Sequence, residues 1–245
     1  MKAIKNVFED NFRIVTGEVE PLTVLKPSGI LDCFQTVAGI HATVLGIGLK
    51  KLLKDNLAWV LMRVKYDVIK QIPKESKVIV KTWPLAVGVV DYDRDYLILD
   101  EDGNVFVKGS SKWVIIDFKD RRILRAPYNY PCECLDNRNY KSFDRIRVSF
   151  DETSNILGSY TVRNTEIDIL GHLNNVRYAD IVFQFYPYEL KSLQIDYIRE
   201  TKLGETLTIK EKIVGEYTII GGFVEDELRF VAKFQKQKRV NPLLL

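Results

Sequence analysis

An internal repeat constrains the fold of this chain more than any other feature. Two short blocks in the first half, residues 67–70 and 78–81, match residues 196–199 and 207–210 in the second half. Both matches use the same offset of 129 residues and need no gap between the blocks. Tandem copies of one supersecondary unit are the simplest explanation of such self-similarity. The 245-residue chain is therefore predicted to contain two similar units.

Each half carries a helical segment and several strands. Apolar residues follow helical spacing over 30–53, and Ser28 is the predicted N-cap of this helix. A second helix is predicted over 175–186, ending before Pro187. β-branched and aromatic residues mark the predicted strands: one within 11–27, then 58–68, 78–83, 89–99 and 105–118, and in the second half 146–150, 159–162, 193–199, 206–213 and a hairpin over 217–234.

These elements predict an α+β fold. The helix over 175–186 is apolar nearly all round, so most of its sides must be buried. A long central helix wrapped by an antiparallel β-sheet is the arrangement of a hot-dog fold. The prediction is a tandem (double) hot dog with an N-terminal domain over 1–135 and a C-terminal domain over 136–245, divided within the polar segment 119–142.

Composition and charge exclude several classes of protein. The 36 basic and 33 acidic residues are too evenly balanced to predict nucleic-acid binding. No apolar run approaches the ~20 residues of a membrane helix, and the N-terminus has no signal-peptide core, so we expect a cytoplasmic protein without a membrane span. The three cysteines, Cys33, Cys132 and Cys134, lack the spacing of a zinc site or a disulfide framework. No metal or cofactor is predicted.

A dense polar cluster lies at the start of the second helix. Asp168 and His172 are four residues apart, and a carboxylate beside an imidazole can orient the ring. Asn174 or Asn175 is the predicted helix cap, and free amides there would polarise a carbonyl and stabilise an oxyanion. Glu200, at the end of the next strand, is a candidate general base on water. These groups suit hydrolysis of an activated acyl group.

The repeat predicts one active site per chain. Laying residues 31–34 on 173–176 pairs Ile30 with His172, and the offset of 129 pairs Gln71 with Glu200. In this alignment the polar groups are present only in the second copy. The other histidine, His41, falls on the apolar face of the first helix and is interpreted as structural.

Several blocks resemble the acyl-acyl carrier protein thioesterase family of plants and bacteria. They cover nearly the whole chain in the right order: 57–63, 82–84, 100–103 and 111–117 in the first half, and 168–178 and 189–200 in the second. The resemblance implies a double hot dog. It also implies an activity, the hydrolysis of the thioester between a fatty acyl chain and the phosphopantetheine arm of acyl carrier protein. This reaction would give the protein a role in fatty acid biosynthesis.

The resemblance also implies the site residues. Asp168 matches the family's catalytic aspartate, His172 its histidine and Glu200 its glutamate. The family pattern Asp-x-Asn-x-His has Leu170 here in place of the asparagine, a carboxamide that would help bind the thioester or position water. Thr201 stands where an older view placed a cysteine nucleophile, so no thiolate mechanism is expected. Whether Glu200 or Asp168 activates water stays open; His172 would assist proton transfer to the departing thiol.

The partner implied is the acidic acyl carrier protein, which basic clusters such as Lys50 and Lys51 would steer toward the site. Two alternatives remain. One is a thioesterase acting on acyl-CoA, which carries the same arm. The other is a non-catalytic acyl-binding hot dog, in which Leu170 marks decay of the site. A monomer and a homodimer are both compatible with the sequence.

Overall fold

The computed structural model describes residues 6–20, 23–151, 153–187 and 189–237. It contains two compact units, and the boundary between them lies between Phe143 and Asp144. The division into domains at residue 135 stays a prediction.

The first unit is an antiparallel sheet with two helices. Its described elements are β1 (Phe8–Arg13), a 3₁₀ turn (Thr16–Glu18), α1 (Pro27–Val44), α2 (Leu49–Lys54), β2 (Leu57–Val68), β3 (Lys77–Pro84), β4 (Asp91–Leu99) and β5 (Val105–Asp117). The strand order is β1-β3-β4-β5-β2, and every neighbouring pair is antiparallel.

Helix α1 packs directly on this sheet through Phe34. The Phe34 ring stacks on Tyr96 of β4, with 4.3 Å between ring centroids, and meets Tyr66 of β2 edge-on. Gly109 of β5 leaves the space that the ring needs, because a Cβ at this position would lie 2.3 Å from Phe34. The buried core of the unit therefore lies between α1 and the sheet.

The predicted helix over 30–53 is two helices in the structure. Helix α1 ends at Val44, and Gly46 follows with a φ of +77°, a left-handed conformation that ends a helix. The helix also begins earlier than predicted, at Pro27, with Lys26 at the N-cap position and no side-chain cap. Ser28 is therefore not the N-cap. Proline suits the first helical position because its missing N–H would have no partner there.

The second unit repeats this topology. Its described elements are β6 (Asn155–Thr161), a 3₁₀ turn (Asn164–Glu166), α3 (Arg177–Phe185), β7 (Leu190–Tyr197), β8 (Thr206–Val214), β9 (Tyr217–Val224) and β10 (Glu227–Lys236). Its strand order, β6-β8-β9-β10-β7, corresponds position by position to that of the first unit. Helix α3 is shorter than predicted.

The predicted strand over 146–150 is wrong. This segment has no ladder of backbone pairs; instead the Ile146 amide donates to the Asp196 carboxylate at 2.7 Å, and Gln194 donates to the Asp144 carbonyl at 2.9 Å. The alternating apolar residues still have a packing role, since Phe150 contacts Phe223 edge-on with 5.6 Å between centroids. Alternating apolar residues indicate that one side of an extended segment packs on a sheet. Such a segment need not itself be a strand.

Asp95 anchors the segment that follows the first sheet. Only 1% of this residue is exposed. Its carboxylate accepts a hydrogen bond from the Asn139 amide at 2.6 Å and another from the Ser110 hydroxyl. The Asn139 side chain donates to the carbonyls of Tyr96 and Gly109 at 2.9 and 2.8 Å.

Replacing Asp95 by asparagine is expected to change how stability depends on pH. Burial, the largest cause, raises the pKa of Asp95. An acid with a raised folded-state pKa stabilises the fold most below its unfolded pKa of about 3.9, and this contribution is lost as pH rises through the folded pKa. As the pH rises from about 4 to 7, Asp95→Asn should therefore lose less stability than the wild type.

Urea titrations at the two pH values measure this difference. Asp102→Asn is the matched control, because Asp102 lies on the exposed turn before β5. The interpretation of Asp95 is wrong if Asp95→Asn and the wild type show the same pH slope.

Candidate active site

The loop before α3 carries His172. Ile167 and Leu173 form an isolated antiparallel bridge, and inside it the Asp168 amide donates to the His172 carbonyl at 2.8 Å. Gly171 turns the chain with a φ of +85°, which glycine adopts without strain. Asp168 and His172 therefore lie opposite each other at the base of a tight turn.

Glu166 fixes the two ends of this loop. Its carboxylate accepts from the Arg163 amide at 2.8 Å and from the Tyr160 hydroxyl. Its own carbonyl accepts from the Asn174 amide at 2.9 Å. Sequence reasoning missed this role, although the three-residue spacing from Arg163 to Glu166 matches one half of a capping box.

Glu200 follows β7 on a segment that pairs with the loop. His172 and Lys202 form an isolated antiparallel bridge, and the Leu173 amide donates to the Thr201 carbonyl at 2.8 Å. The buried Tyr178 hydroxyl of α3 donates to the Thr201 hydroxyl at 3.0 Å. These contacts bring Glu200 beside the loop although 28 residues separate it from His172 in the chain.

His172 and Glu200 form the acid–imidazole pair of the site. The distance from His172 Nε2 to Glu200 Oε2 is 3.0 Å, and the two side chains are 21% and 30% exposed. Lys202 Nζ lies 4.0 Å from Glu200 Oε1. A carboxylate in this position can both orient the ring and accept a proton from a water molecule, since part of it still faces solvent.

Asp168 has a different environment from the one expected. Within the described part of the chain, both hydrogen bonds of its carboxylate come from backbone amides, that of Leu170 at 2.8 Å and that of His172 at 3.3 Å. Asp168 therefore stabilises the turn, and the carboxylate that contacts the imidazole ring is Glu200.

Of the two predicted helix caps, Asn174 makes a side-chain hydrogen bond to the turn that leads into α3. Val176 occupies the N-cap position of α3 and makes no side-chain cap. The Asn174 side chain accepts from the Val176 amide at 3.1 Å, and its carbonyl accepts from the Arg177 amide at 2.8 Å. Asn175 accepts from the Tyr197 hydroxyl through its carbonyl. The amides of Val176 and Arg177 are thus engaged and do not polarise a substrate carbonyl in this conformation.

In the first unit, Glu20 and Val24 make the same backbone contacts as Asp168 and His172. The Glu20 amide donates to the Val24 carbonyl at 2.9 Å, as Asp168 does to His172. Val24 forms an isolated bridge with Pro73, as His172 does with Lys202. Val24 is therefore the counterpart of His172, and the predicted pairing of Ile30 with His172 is wrong.

The counterparts define what is special to the second unit. Glu20, which is 3% exposed, corresponds to Asp168, so the first copy does have a carboxylate here, contrary to the sequence-based alignment. The amide of Leu25 donates to the Ile72 carbonyl, as that of Leu173 does to Thr201, which pairs Gln71 with Glu200 as predicted. Among the described residues, the imidazole and its carboxylate partner occur together only in the second unit.

Fold and site together define a double hot-dog protein with an acid–imidazole pair in its second unit. Residues 5–131 match the acyl-ACP thioesterase N-terminal domain, and residues 150–236 match the acyl-ACP thioesterase C-terminal domain. The chain belongs to the acyl-ACP thioesterase family.

Curated relatives include two plant enzymes. The chloroplastic palmitoyl-acyl carrier protein thioesterase of Cuphea hookeriana is 26% identical over 234 residues, covering 86% of this chain and 56% of the relative. The chloroplastic oleoyl-acyl carrier protein thioesterase of Coriandrum sativum is 25% identical over 217 residues, covering 79% and 59%. The chain thus spans between half and two thirds of the length of these relatives.

Solved structures show the fold. The acyl-ACP thioesterase from Bacteroides thetaiotaomicron has a TM-score of 0.85 and 21% identity over 95% of this chain and 98% of its own. The 12:0-ACP thioesterase from Umbellularia californica has a TM-score of 0.83 and 22% identity, covering 95% and 98%. The predicted α+β double hot dog is confirmed.

Proposed function

We propose that this chain hydrolyses fatty acyl-acyl carrier protein to a free fatty acid and holo-acyl carrier protein. The observation that carries the proposal is the 3.0 Å contact between His172 and Glu200, the two residues to which the resemblance assigns the family's histidine and glutamate. Membership of the family and the names of its relatives support the same substrate.

Glu200 is the favoured base. The Glu200 carboxylate is partly exposed, whereas the Asp168 carboxylate accepts hydrogen bonds from two backbone amides. Glu200 takes a proton from water, the water oxygen adds to the thioester carbonyl carbon, and the carbon–sulfur bond then breaks. His172 assists by giving a proton to the departing sulfur, so the arm leaves as a thiol.

Thr201 has no part in a covalent step. It is buried, and its hydroxyl accepts from Tyr178 at 3.0 Å. Burial raises the pKa of Tyr178 to about 12, so the phenol stays a neutral donor at physiological pH. The threonine hydroxyl is thus held as part of the packing, and direct attack by water is the route that these residues support.

The proposed partner is an acidic acyl carrier protein that presents the acyl chain on its phosphopantetheine arm. Lys202, whose side chain is 60% exposed, lies beside Glu200 and would attract an acidic partner. None of the described helices is long and apolar enough to cross a membrane. A cytoplasmic location and a homodimer are further proposals; light scattering during gel filtration tests the second.

Thiol release from one acyl chain on two carriers tests the function. Purified protein is assayed on acyl-acyl carrier protein and on the matching acyl-CoA, with His172→Ala as the control for contaminating hydrolases. We expect faster release from acyl carrier protein, and its kcat/KM should fall in high salt because the partner is acidic. Faster release from CoA would favour the acyl-CoA alternative. Acyl binding without release on any carrier would favour the non-catalytic one.

Leu170→Asn is expected to raise activity. Leu170 is partly buried on the turn. Its backbone amide donates to the Asp168 carboxylate, and the substitution preserves this hydrogen bond. A carboxamide that makes one hydrogen bond to the thioester or to water contributes about 1.4 kcal/mol, a tenfold rise in kcat/KM. Ile169→Asn, on the exposed neighbour, is the control. Equal or lower activity for Leu170→Asn would contradict a role of the family's asparagine at this position.

A further inference from the structure

Arg229 and Glu205 hold the segment that presents Glu200. The Arg229 side chain is 13% exposed, and its guanidinium donates to the Glu200 carbonyl at 2.7 Å. Its other terminal nitrogen lies 3.2 Å from the Glu205 carboxylate. The second oxygen of Glu205 accepts from the Lys202 amide at 2.7 Å. The ion pair therefore contacts the backbone on both sides of Thr201.

This segment lies between two strands of the sheet, and local hydrogen bonds hold it in place. Strand β7 ends at Tyr197, and β8 begins only at Thr206. A rotation of the peptide at Glu200 would carry its carboxylate away from His172, from which it lies 3.0 Å. Hydrogen bonds from an ionised donor or to an ionised acceptor are about twice as strong as neutral ones, so the pair restricts this rotation.

The first unit serves as an internal comparison. The amides of Ile198 and Arg199 both donate to the Arg229 carbonyl, and those of Ile69 and Lys70 both donate to the Phe106 carbonyl. Phe106 is therefore the counterpart of Arg229.

Glu205 has a counterpart by the same reasoning. The Val162 amide donates to the Glu205 carbonyl at 3.0 Å, and the Ile14 amide donates to the Ser76 carbonyl at 3.0 Å. Ser76 therefore corresponds to Glu205. The first unit thus has a phenylalanine and a serine where the second has the ion pair, and it also has Val24 and Gln71 where the second has the imidazole and its carboxylate.

The comparison separates two explanations of the ion pair. If the hot-dog unit needed it to fold, the first unit would need it too, yet that unit has the same strand order without it. The ion pair occurs in the unit that contains His172 and Glu200.

We propose that Arg229 and Glu205 are positioning residues that hold Glu200 in contact with His172. The inference rests on the proposed function, because it assigns the two residues to that same site. Arg229 acts on the backbone carbonyl of Glu200, and Glu205 acts on Arg229 and on the amide of Lys202. Neither is placed against substrate.

Kinetics of Arg229→Gln and Glu205→Gln test the proposal. Each should lower kcat about 10- to 100-fold, as expected for a small displacement of a catalytic group, with KM changed less than about twofold. Arg229→Lys should recover part of the loss because an ammonium can still donate to the carbonyl. The double variant Arg229→Phe/Glu205→Ser copies the residues of the first unit, so it should fold yet keep the low kcat.

Arg199→Gln is the matched control. Its guanidinium pairs with Glu227, which also lies 3.7 Å from Arg229, on the same part of the surface. This variant should keep the wild-type kcat. The proposal would be overturned if the loss of kcat in each variant equalled its loss of folded protein and Arg229→Lys recovered none of it.

A second readout is independent of activity. The chain has two histidines, and His41 is 1% exposed, so diethyl pyrocarbonate should modify mainly His172. Because Glu200 occupies Nε2 of His172, the variants should be modified at His172 several times faster, as measured by mass spectrometry. Faster modification with no thioester hydrolysis even in the wild type would defeat the proposed function alone. Wild-type activity with unchanged kcat and modification rates in the variants would defeat the positioning role alone.

Discussion

Glu200→Gln is expected to lower kcat on acyl-acyl carrier protein by about 10²- to 10⁴-fold, the range that general-base catalysis contributes. Glutamine has almost the same shape as glutamate, and its carbonyl can still meet His172, but it does not take a proton from water. The loss should therefore appear in kcat, with little change in KM or in the melting temperature. Thiol-release kinetics and thermal unfolding of the purified variant measure both.

Two variants make this result specific to Glu200. Glu216→Gln changes an exposed carboxylate of the same unit and should have wild-type kinetics. Asp168→Asn retains an oxygen that can accept from the amides of Leu170 and His172, so it should have a smaller effect than Glu200→Gln. A larger loss for Asp168→Asn would assign the base to Asp168.

Most of the strands and the repeat could be predicted because they depend on local patterns. Alternating apolar residues and constant spacing identified β2 (Leu57–Val68) and β8 (Thr206–Val214) to within a residue at most ends. The register of the loops could not be predicted from the same spacing. The offset between units is 129 at Gln71 and Glu200 but 148 at Val24 and His172, because the first unit has additional chain, including α2 (Leu49–Lys54), between its loop and its sheet.

Candidate site residues could be chosen from the sequence, but their contacts could not be predicted. His172, Glu200 and Asp168 were found by residue type and by resemblance. Which carboxylate contacts the ring depends on the bridge between His172 and Lys202, a pairing between segments far apart in the chain. Asp168 could satisfy either the ring or the backbone amides of its own turn, and only the turn geometry decides this.

The role of Arg229 could not be predicted from the sequence for a related reason. A charged residue in a strand is usually read as part of a solvated face, and no spacing rule links a strand arginine to a carbonyl 29 residues earlier. Its significance becomes visible only when the counterpart Phe106 is known. The two units of one chain thus distinguish residues that the fold requires from residues that the site requires.

The second large effect is expected at His172. His172→Ala removes the group that is proposed to assist the departing thiol and that lies 3.0 Å from Glu200 Oε2, so kcat should fall by about 10²- to 10⁴-fold. Because the two side chains act as a unit, His172→Ala/Glu200→Gln should lose little more than the worse single variant. If the loss of kcat in the double variant equalled the product of the two single losses, the two residues would act independently, which would contradict the proposed pair.

The other histidine provides the matched comparison, with the opposite expected outcome. His41 is buried, stacks on Phe8 with 5.5 Å between ring centroids, and lies with Nδ1 3.0 Å from a terminal nitrogen of the buried Arg94. His41→Ala leaves that guanidinium with a buried donor unpaired, which costs about 1–3 kcal/mol of folding free energy. Activity per folded molecule should be unchanged, because the first unit has Val24 and Gln71 in place of His172 and Glu200. Urea unfolding measures the loss of stability in His172→Ala and His41→Ala, and kinetics per folded molecule measure the loss of kcat. A loss of kcat in His41→Ala beyond its loss of folded protein would mean that the first unit takes part in the chemistry.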